Sequence, residues 1–392
     1  NAMRKLLTNL IVITAILSMA GICLASVFDP STSIYGARPM GLGRAFVGLA
    51  DDTNALFLNP AGTGNSTKWG LTSMTTKLLD TVDYRMVGGT YPTEYGVIGF
   101  GYIATSNPAG LHTGSDPSEV YQPMSYNTST FVVSYGNKMD NIVKINGMPK
   151  ETYVGADIRY SSQGLSGSGQ DDKSGSSINV DLAALMEVTP FAKAGLTLNN
   201  LLPKSMQWTS GNAEDMPTKL SMGTAVNIMG NEKNSLYKSN QSVVGVLDAN
   251  LGASPDEGFT IHGGLEWKPN RLLSVRCGID QNNISINEGQ VGSVFNLSAG
   301  VGFNYEGINF DYAYHQDGEL ALNQTHFFSI SYSPELIKTS QAEQNDEDEE
   351  ETISNEDGEL IIIDESSNNE DAFTHTATCP YNCPHEHLKA QK

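Results

Sequence analysis

Phe295-Asn-Leu-Ser-Ala-Gly-Val-Gly-Phe-Asn304 alternates strictly between two chemistries. Phe295, Leu297, Ala299, Val301 and Phe303 fall on one face of an extended chain. Asn296, Ser298, Gly300, Gly302 and Asn304 fall on the other. Successive side chains of a strand point to opposite faces, so a period of two with one apolar face is a β signature. The next segment repeats the pattern, with Ile308, Phe310, Tyr312 and Tyr314 set against Asn309, Asp311, Ala313 and His315. Upstream, Ile261, Gly263, Leu265 and Trp267 oppose His262, Gly264, Glu266 and Lys268.

Working outward, fourteen such segments are predicted between Trp69 and Pro334: about 69–77, 83–92, 94–104, 126–137, 151–163, 176–187, 191–199, 218–229, 240–252, 258–268, 270–281, 291–305, 307–316 and 324–334. Each is near or above the 9–11 residues that a tilted strand needs to cross hydrocarbon. An even number of antiparallel strands suits a closed bacterial outer-membrane barrel. The expected fold is all-β, a 14-stranded antiparallel transmembrane β-barrel with an N-terminal plug-like segment. A soluble sandwich also alternates, so loop lengths carry the discrimination. Pro92-Thr93, Thr189-Pro190, Pro269-Asn270 and the Glu306 turn are short and fall in one phase. Residues 105–125, 164–175 and 200–217 are long, rich in Gly, Ser, Asn or Pro, and fall in the other. Short periplasmic turns and long external loops are the barrel rule. This phase places both mature termini in the periplasm, although 138–150 and 230–239 are longer than the other turns on that side.

The ends differ from the middle. Met3-Arg4-Lys5, an apolar stretch from Leu6 to Ile22 and Cys23-Leu24-Ala25 read as a secretory leader over 3–25, with a membrane anchor as the alternative. Asn1-Ala2 are set aside. Residues 26–68 form the expected plug segment, 69–334 the barrel and 335–392 an acidic periplasmic tail expected to lack fixed structure. Of the formal charge of −21, the last 52 residues carry −13, leaving −8 for the rest. No basic stripe exists to neutralise phosphates, so nucleic acid is excluded as a partner.

With apolar faces toward lipid, the lumen receives Asp157, Arg159, Asp181, Asp248, Glu266, Lys268, Arg276, Asp280 and Asp311. Unpaired buried charge is expensive, so both signs together predict an internal network filling a narrow interior. A selective aqueous channel is the alternative. Ahead of the barrel, Gly41 and Gly43 allow close backbone approach, and Asn59-Pro60 turn the chain toward the first strand. The glycine pattern is not a phosphate loop, because it follows no strand of a βαβ unit and precedes no Lys-Ser or Lys-Thr pair.

Gly36-Ala-Arg-Pro-Met-Gly-Leu-Gly-Arg-Ala-Phe-Val47 and Asp51-Asp-Thr-Asn-Ala-Leu-Phe-Leu-Asn-Pro-Ala-Gly62 carry a family resemblance. So do Val154-Gly-Ala-Asp-Ile-Arg-Tyr160, Ala194-Gly-Leu-Thr-Leu-Asn-Asn-Leu201, Leu220 to Val226, His262-Gly-Gly-Leu-Glu-Trp267, Leu273-Ser-Val-Arg-Cys-Gly278, Phe310-Asp-Tyr-Ala-Tyr314 and Thr325 to Tyr332. In that ordered series, over about residues 33–334, the chain resembles a broad outer-membrane family. It joins the long-chain fatty-acid transporter (FadL-like) type to the shuttle and attachment proteins of type IX secretion (the PorV/PorQ-like group). The resemblance implies a barrel with an N-terminal segment inside. It also implies one of two roles: moving hydrophobic molecules through a lateral gap, or receiving and attaching secreted proteins.

The resemblance is nearer the secretion group, so the expected function is a non-enzymatic docking or attachment scaffold. The alternative is a transporter of small hydrophobic molecules through the barrel wall. Arg38, Asp51 and Asp52 read as fold-supporting residues or a ligand site, and Asn59 and Pro60 as the gating position. Expected partners are outer-membrane lipid, secreted or periplasmic proteins, or hydrophobic small molecules.

Phe327-Phe-Ser-Ile-Ser-Tyr332 looks like a barrel-terminal assembly signal, although 60 residues follow it. Cys379, Cys383, His385 and His387 could hold zinc, form a local disulfide or do neither. No cofactor is expected. Cys277 reads as a small hydrophobe. No Ser, His and acid set is spaced for catalysis, so no enzyme is expected.

Overall fold

The computed structural model describes residues 34–78, 81–107, 111–112, 123–145, 147–149, 151–167, 172–202, 206–214, 216–230, 241–252, 258–287, 290–317, 324–334, 353–354 and 360–361. The leader at 3–25 and the Cys379, Cys383, His385 and His387 cluster lie outside the described residues. Lys338–Lys392 form a separate unit, in which Ile353–Ser354 pairs antiparallel with Leu360–Ile361.

Fourteen strands make the barrel: β1 Gly70–Leu78, β2 Val82–Thr93, β3 Gly96–Ser106, β4 Pro123–Lys138, β5 Thr152–Gly167, β6 Lys173–Thr189, β7 Ala192–Asn199, β8 Lys219–Met229, β9 Ser242–Gly252, β10 Phe259–Lys268, β11 Leu273–Asn287, β12 Gln290–Tyr305, β13 Ile308–Gln316 and β14 Gln324–Tyr332. Each pairs antiparallel with its neighbours. β14 returns to β1 with Tyr332 opposite Leu71 and Phe327 opposite Thr76, which closes the sheet and leaves no edge. Leu111–His112, Met206–Trp208 and Ala213–Glu214 add short pieces beyond the barrel strands at the long-loop end.

The alternation read from the sequence sorts the side chains as expected. On β12, Phe295, Leu297, Val301 and Phe303 are exposed while Asn296 and Ser298 are buried inside. The same inversion holds on β3, where Ile98, Phe100 and Tyr102 face out. So extensive an apolar exterior has no place on a water-soluble monomer. It matches the lipid face of a membrane barrel, and Trp69, Tyr91, Tyr95, Phe191, Trp267 and Tyr305 form an aromatic girdle at the short-turn end. Among the described residues no helix is long and apolar enough to cross a membrane.

Residues 34–65 supply the missing interior. They fold into α1 Ala37–Gly41, α2 Ala55–Leu58 and a 3-10 turn, Pro60–Asn65, and most of them are buried against the inward faces of the strands. These helices are too short to stand alone. They persist because their backbone groups find partners on the barrel wall.

Candidate functional site

Three ion-paired clusters seat this segment. Arg38 makes a two-pronged contact with Glu266 of β10, through Nε and Nη2 at 2.9 Å each, and donates to Asp51 at 2.6 Å and Asp52 at 2.7 Å. Glu266 also accepts from Arg276 Nε at 2.6 Å, and Arg276 reaches Asp311 at 2.6 Å. A planar guanidinium matched to a carboxylate is the strong form of such contact. Arg38 therefore joins the Asp51-Asp52 turn to β10, β11 and β13 through one connected network. The Arg38 guanidinium holds the Asp51 carboxyl below its ordinary range.

In the second cluster Arg44, in the left-handed region at φ 64°, pairs with Asp280 and Asn282, and Asp280 is braced by His315 at 2.7 Å and Asn296 at 2.8 Å. Asp248 then caps the next turn, accepting from the backbone amides of Phe46 at 2.7 Å and Val47 at 2.8 Å. The third cluster centres on Arg159. It pairs with Asp181 at 2.6 Å and Asp157 at 3.4 Å, and donates to the Tyr35 hydroxyl at 2.9 Å and the Phe57 carbonyl at 2.6 Å. Eight of the nine residues assigned from sequence to the lumen thus lie in these clusters; the ninth, Lys268, is more exposed and reaches Glu266 at 3.1 Å.

Asn59 and Pro60 brace the turn that follows α2. The Asn59 amide donates to Val47 O at 2.7 Å and its oxygen accepts from Ala61 N at 3.2 Å, capping the turn that Pro60 begins. An aromatic pair lies beside them. The Phe57 ring stacks on Tyr35, with centroids 5.7 Å apart and planes 13° from parallel. Its far edge, with Leu56, presses on the wall where Gly88 of β2 pairs with Gly101 of β3. A methyl group on Gly101 would lie 2.4 Å from Phe57 Cε1, and one on Gly88 would lie 2.9 Å from Leu56 Cδ2. Only glycine admits that contact.

Gly89, the next residue of β2, faces out between Leu71 and Phe100. It helps leave an external apolar groove of about 690 Å³, lined by Trp69, Leu71, Val87, Tyr91, Phe100 and Phe131 among others. On the lumen side, Tyr35 and Phe57 border a polar cavity of about 130 Å³ that also meets Arg159, Asp181, Asn199 and Lys219. A polar vestibule and a lipid-facing groove are therefore separated by one aromatic pair and a wall one backbone thick. Tyr35, Leu56, Phe57, Gly88 and Gly101 were not among the sequence candidates. Gly88-Gly89 inside β2 and Gly99 and Gly101 inside β3 were the available signal.

The barrel superposes on the P. putida toluene transporter TodX with a TM-score of 0.51 and 11% identity, covering 77% of this chain and 99% of that one. The fold is that of the TodX barrel. The Ralstonia pickettii toluene transporter TbuX (TM-score 0.49, 12% identity, 77% of this chain and 98% of that one) and a Pseudomonas aeruginosa FadL homologue (0.48, 11%, 79% and 100%) are further structural neighbours. No family model matches the chain, and no curated protein matches its sequence.

Proposed function

We propose that this chain is an outer-membrane conduit for small hydrophobic molecules. They pass the Tyr35–Phe57 pair and leave sideways through the glycine window between β2 and β3. The observation that carries this reading is the contact of Leu56 and Phe57 with Gly88 and Gly101, directly behind the external groove. Movement of α2 by one side chain's width would uncover the glycine pair from inside, and parting of the β2–β3 ladder, which pairs without a break from Asp83–Ser106 to Thr93–Gly96, would open the wall there. An apolar solute would then stay out of water between vestibule and hydrocarbon, which is favourable for every apolar Å² kept dry. The short-turn end faces the periplasm in this reading, and the toluene-transporter neighbours are in keeping with it.

The test is accumulation of a fluorescent aromatic probe, phenylnaphthylamine, by cells whose outer membrane carries the chain. Phe57→Ala should raise uptake, and Gly89→Phe, which fills the groove, should lower it. Equal uptake by all three would sink the proposal.

A docking platform for secreted or surface-attached proteins, the PorV/PorQ-like reading, is the second. What supports it is the ion-paired lattice from Asp51 to Asp311, which packs the lumen. Purification in mild detergent followed by mass spectrometry separates the two: bound protein favours docking, and bound hydrophobic small molecules favour transport.

A further inference from the structure

The β4–β5 connection is built unlike its neighbours. At the same end, β2 and β3 are separated only by residues 94–95, and β12 and β13 only by residues 306–307. Residues 139–151 form instead a longer excursion that opens with one helical turn, Met139–Ile142. Its neck is fastened: Lys138 pairs with Glu151 at 2.6 Å, and the Tyr153 hydroxyl bridges Glu151 at 2.6 Å and Asn65 at 2.8 Å. Beyond that clasp, Ile142, Val143, Ile145 and Met148 are all exposed, at 56%, 51%, 49% and 37%. Lys144 is exposed among them.

The apolar surface does not stop at the barrel. On β4 the outward residues Phe131, Val133 and Tyr135 run down to the neck, and Tyr135 donates to the carbonyl of Tyr95 in the girdle. The aliphatic tip continues that lipid-facing strip past the strand ends. Its charge also differs from that of the whole: Lys138, Lys144 and Lys150 stand against Asp140 and Glu151, in a chain of net charge −21. Aliphatic side chains interleaved with lysine suit the boundary of a phospholipid leaflet, where lysine stems lie along acyl chains and ammonium groups reach the phosphates.

We propose that the β4–β5 connection is a membrane-surface anchor, with Ile142, Val143, Ile145 and Met148 seated in the phospholipid leaflet at the short-turn end and Lys144 at its headgroups. This rests on reading the barrel as membrane-spanning. The anchor lies on the strand that borders the external groove, so it grips the leaflet into which that groove opens.

The test uses the full chain with Val143→Trp in phosphatidylethanolamine–phosphatidylglycerol vesicles carrying brominated acyl chains, with the parent chain subtracted. Emission added at position 143 should fall about twofold or more with brominated lipid and resist aqueous acrylamide, as expected of a side chain below the headgroups. Quenching by acrylamide without quenching by bromine would place the segment in water and overturn the proposal. Resistance to both would assign the surface to a protein or a second copy, and would overturn it equally. The parent chain, in which Trp69 and Trp267 are exposed on the outer face, is the internal reference. If its emission is bromine-quenched while position 143 is not, the barrel reading stands and only the anchor fails.

Discussion

Gly101→Ala is the smallest change that should disturb the window. The added methyl would lie 2.4 Å from Phe57 Cε1 and 2.9 Å from Leu56 Cδ1. Carbon atoms in contact sit about 3.5–4.0 Å apart, so the overlap with the ring is about 1 Å. Tyr35 closes the opposite face of Phe57, and Arg159 holds its carbonyl, so the ring cannot retreat without moving α2. Overpacking of this kind costs about 1–3 kcal/mol, which raises the displaced population of α2 about 5- to 150-fold. Amide hydrogen exchange across Ala55–Leu58, followed by mass spectrometry, reads that change directly. Gly164→Ala on β5 is the control, since a methyl there meets nothing within 4 Å. The overlap should also vanish in a Phe57→Ala background, giving a coupling of about 1 kcal/mol or more between the two sites. Exchange in Gly101→Ala equal to that in Gly164→Ala, or strict additivity with Phe57→Ala, would refute the reasoning.

Other perturbations follow from the clusters that seat the segment. Glu266→Ala should remove the carboxylate that Arg38 and Arg276 share, leaving Arg38 to Asp51 and Asp52 and Arg276 to Asp311, and cost about 3–5 kcal/mol, seen as a lower midpoint for loss of the folded band in heated gel electrophoresis. Arg159→Lys should raise probe uptake nearly as much as Arg159→Met, because one ammonium cannot replace a fork that serves Tyr35, Phe57 and Asp181 together. Glu151 is held below its ordinary value of 4.5 chiefly by hydrogen bonds from Lys138 and Tyr153. A depressed carboxyl contributes stability that is present above its ordinary value and lost as pH falls through the folded one. Exchange in residues 139–149, normalised to the intrinsic rate at each pH, should therefore rise on acidification below 4.5. In Glu151→Gln it should be raised already at neutral pH and nearly flat.

The barrel was legible because its rule is local. Each of Phe295 to Asn304 declares its side by alternation alone, and the same rule put Asp157, Asp248 and Glu266 inside without reference to any partner. Pairing was not legible. Arg38 meets Glu266 across 228 positions of sequence, and nothing near either residue names the other. The window was hidden for a related reason. Gly88 and Gly101 look like any weak point in a strand until Phe57 is known to lie behind them, and Phe57 is placed by α2, which is too short to show a helical period. Asn59 stood out in the sequence because it precedes proline. Its side chain is committed to Val47 and Ala61, and the residue that presses on the glycine pair, Phe57, stands two positions earlier.

Lateral passage through the β2–β3 wall is the central claim, and site-mapped photolabelling tests it most directly. A toluene-sized probe carrying a diazirine would be activated with the full chain in lipid, and the adducts located by mass spectrometry. Adducts are expected inside, on Tyr35, Leu56 and Phe57, together with a concentration outside on Val87, Tyr91 and Phe100. Adducts spread evenly over all lipid-facing strands, with none on Tyr35, Leu56 or Phe57, would contradict it.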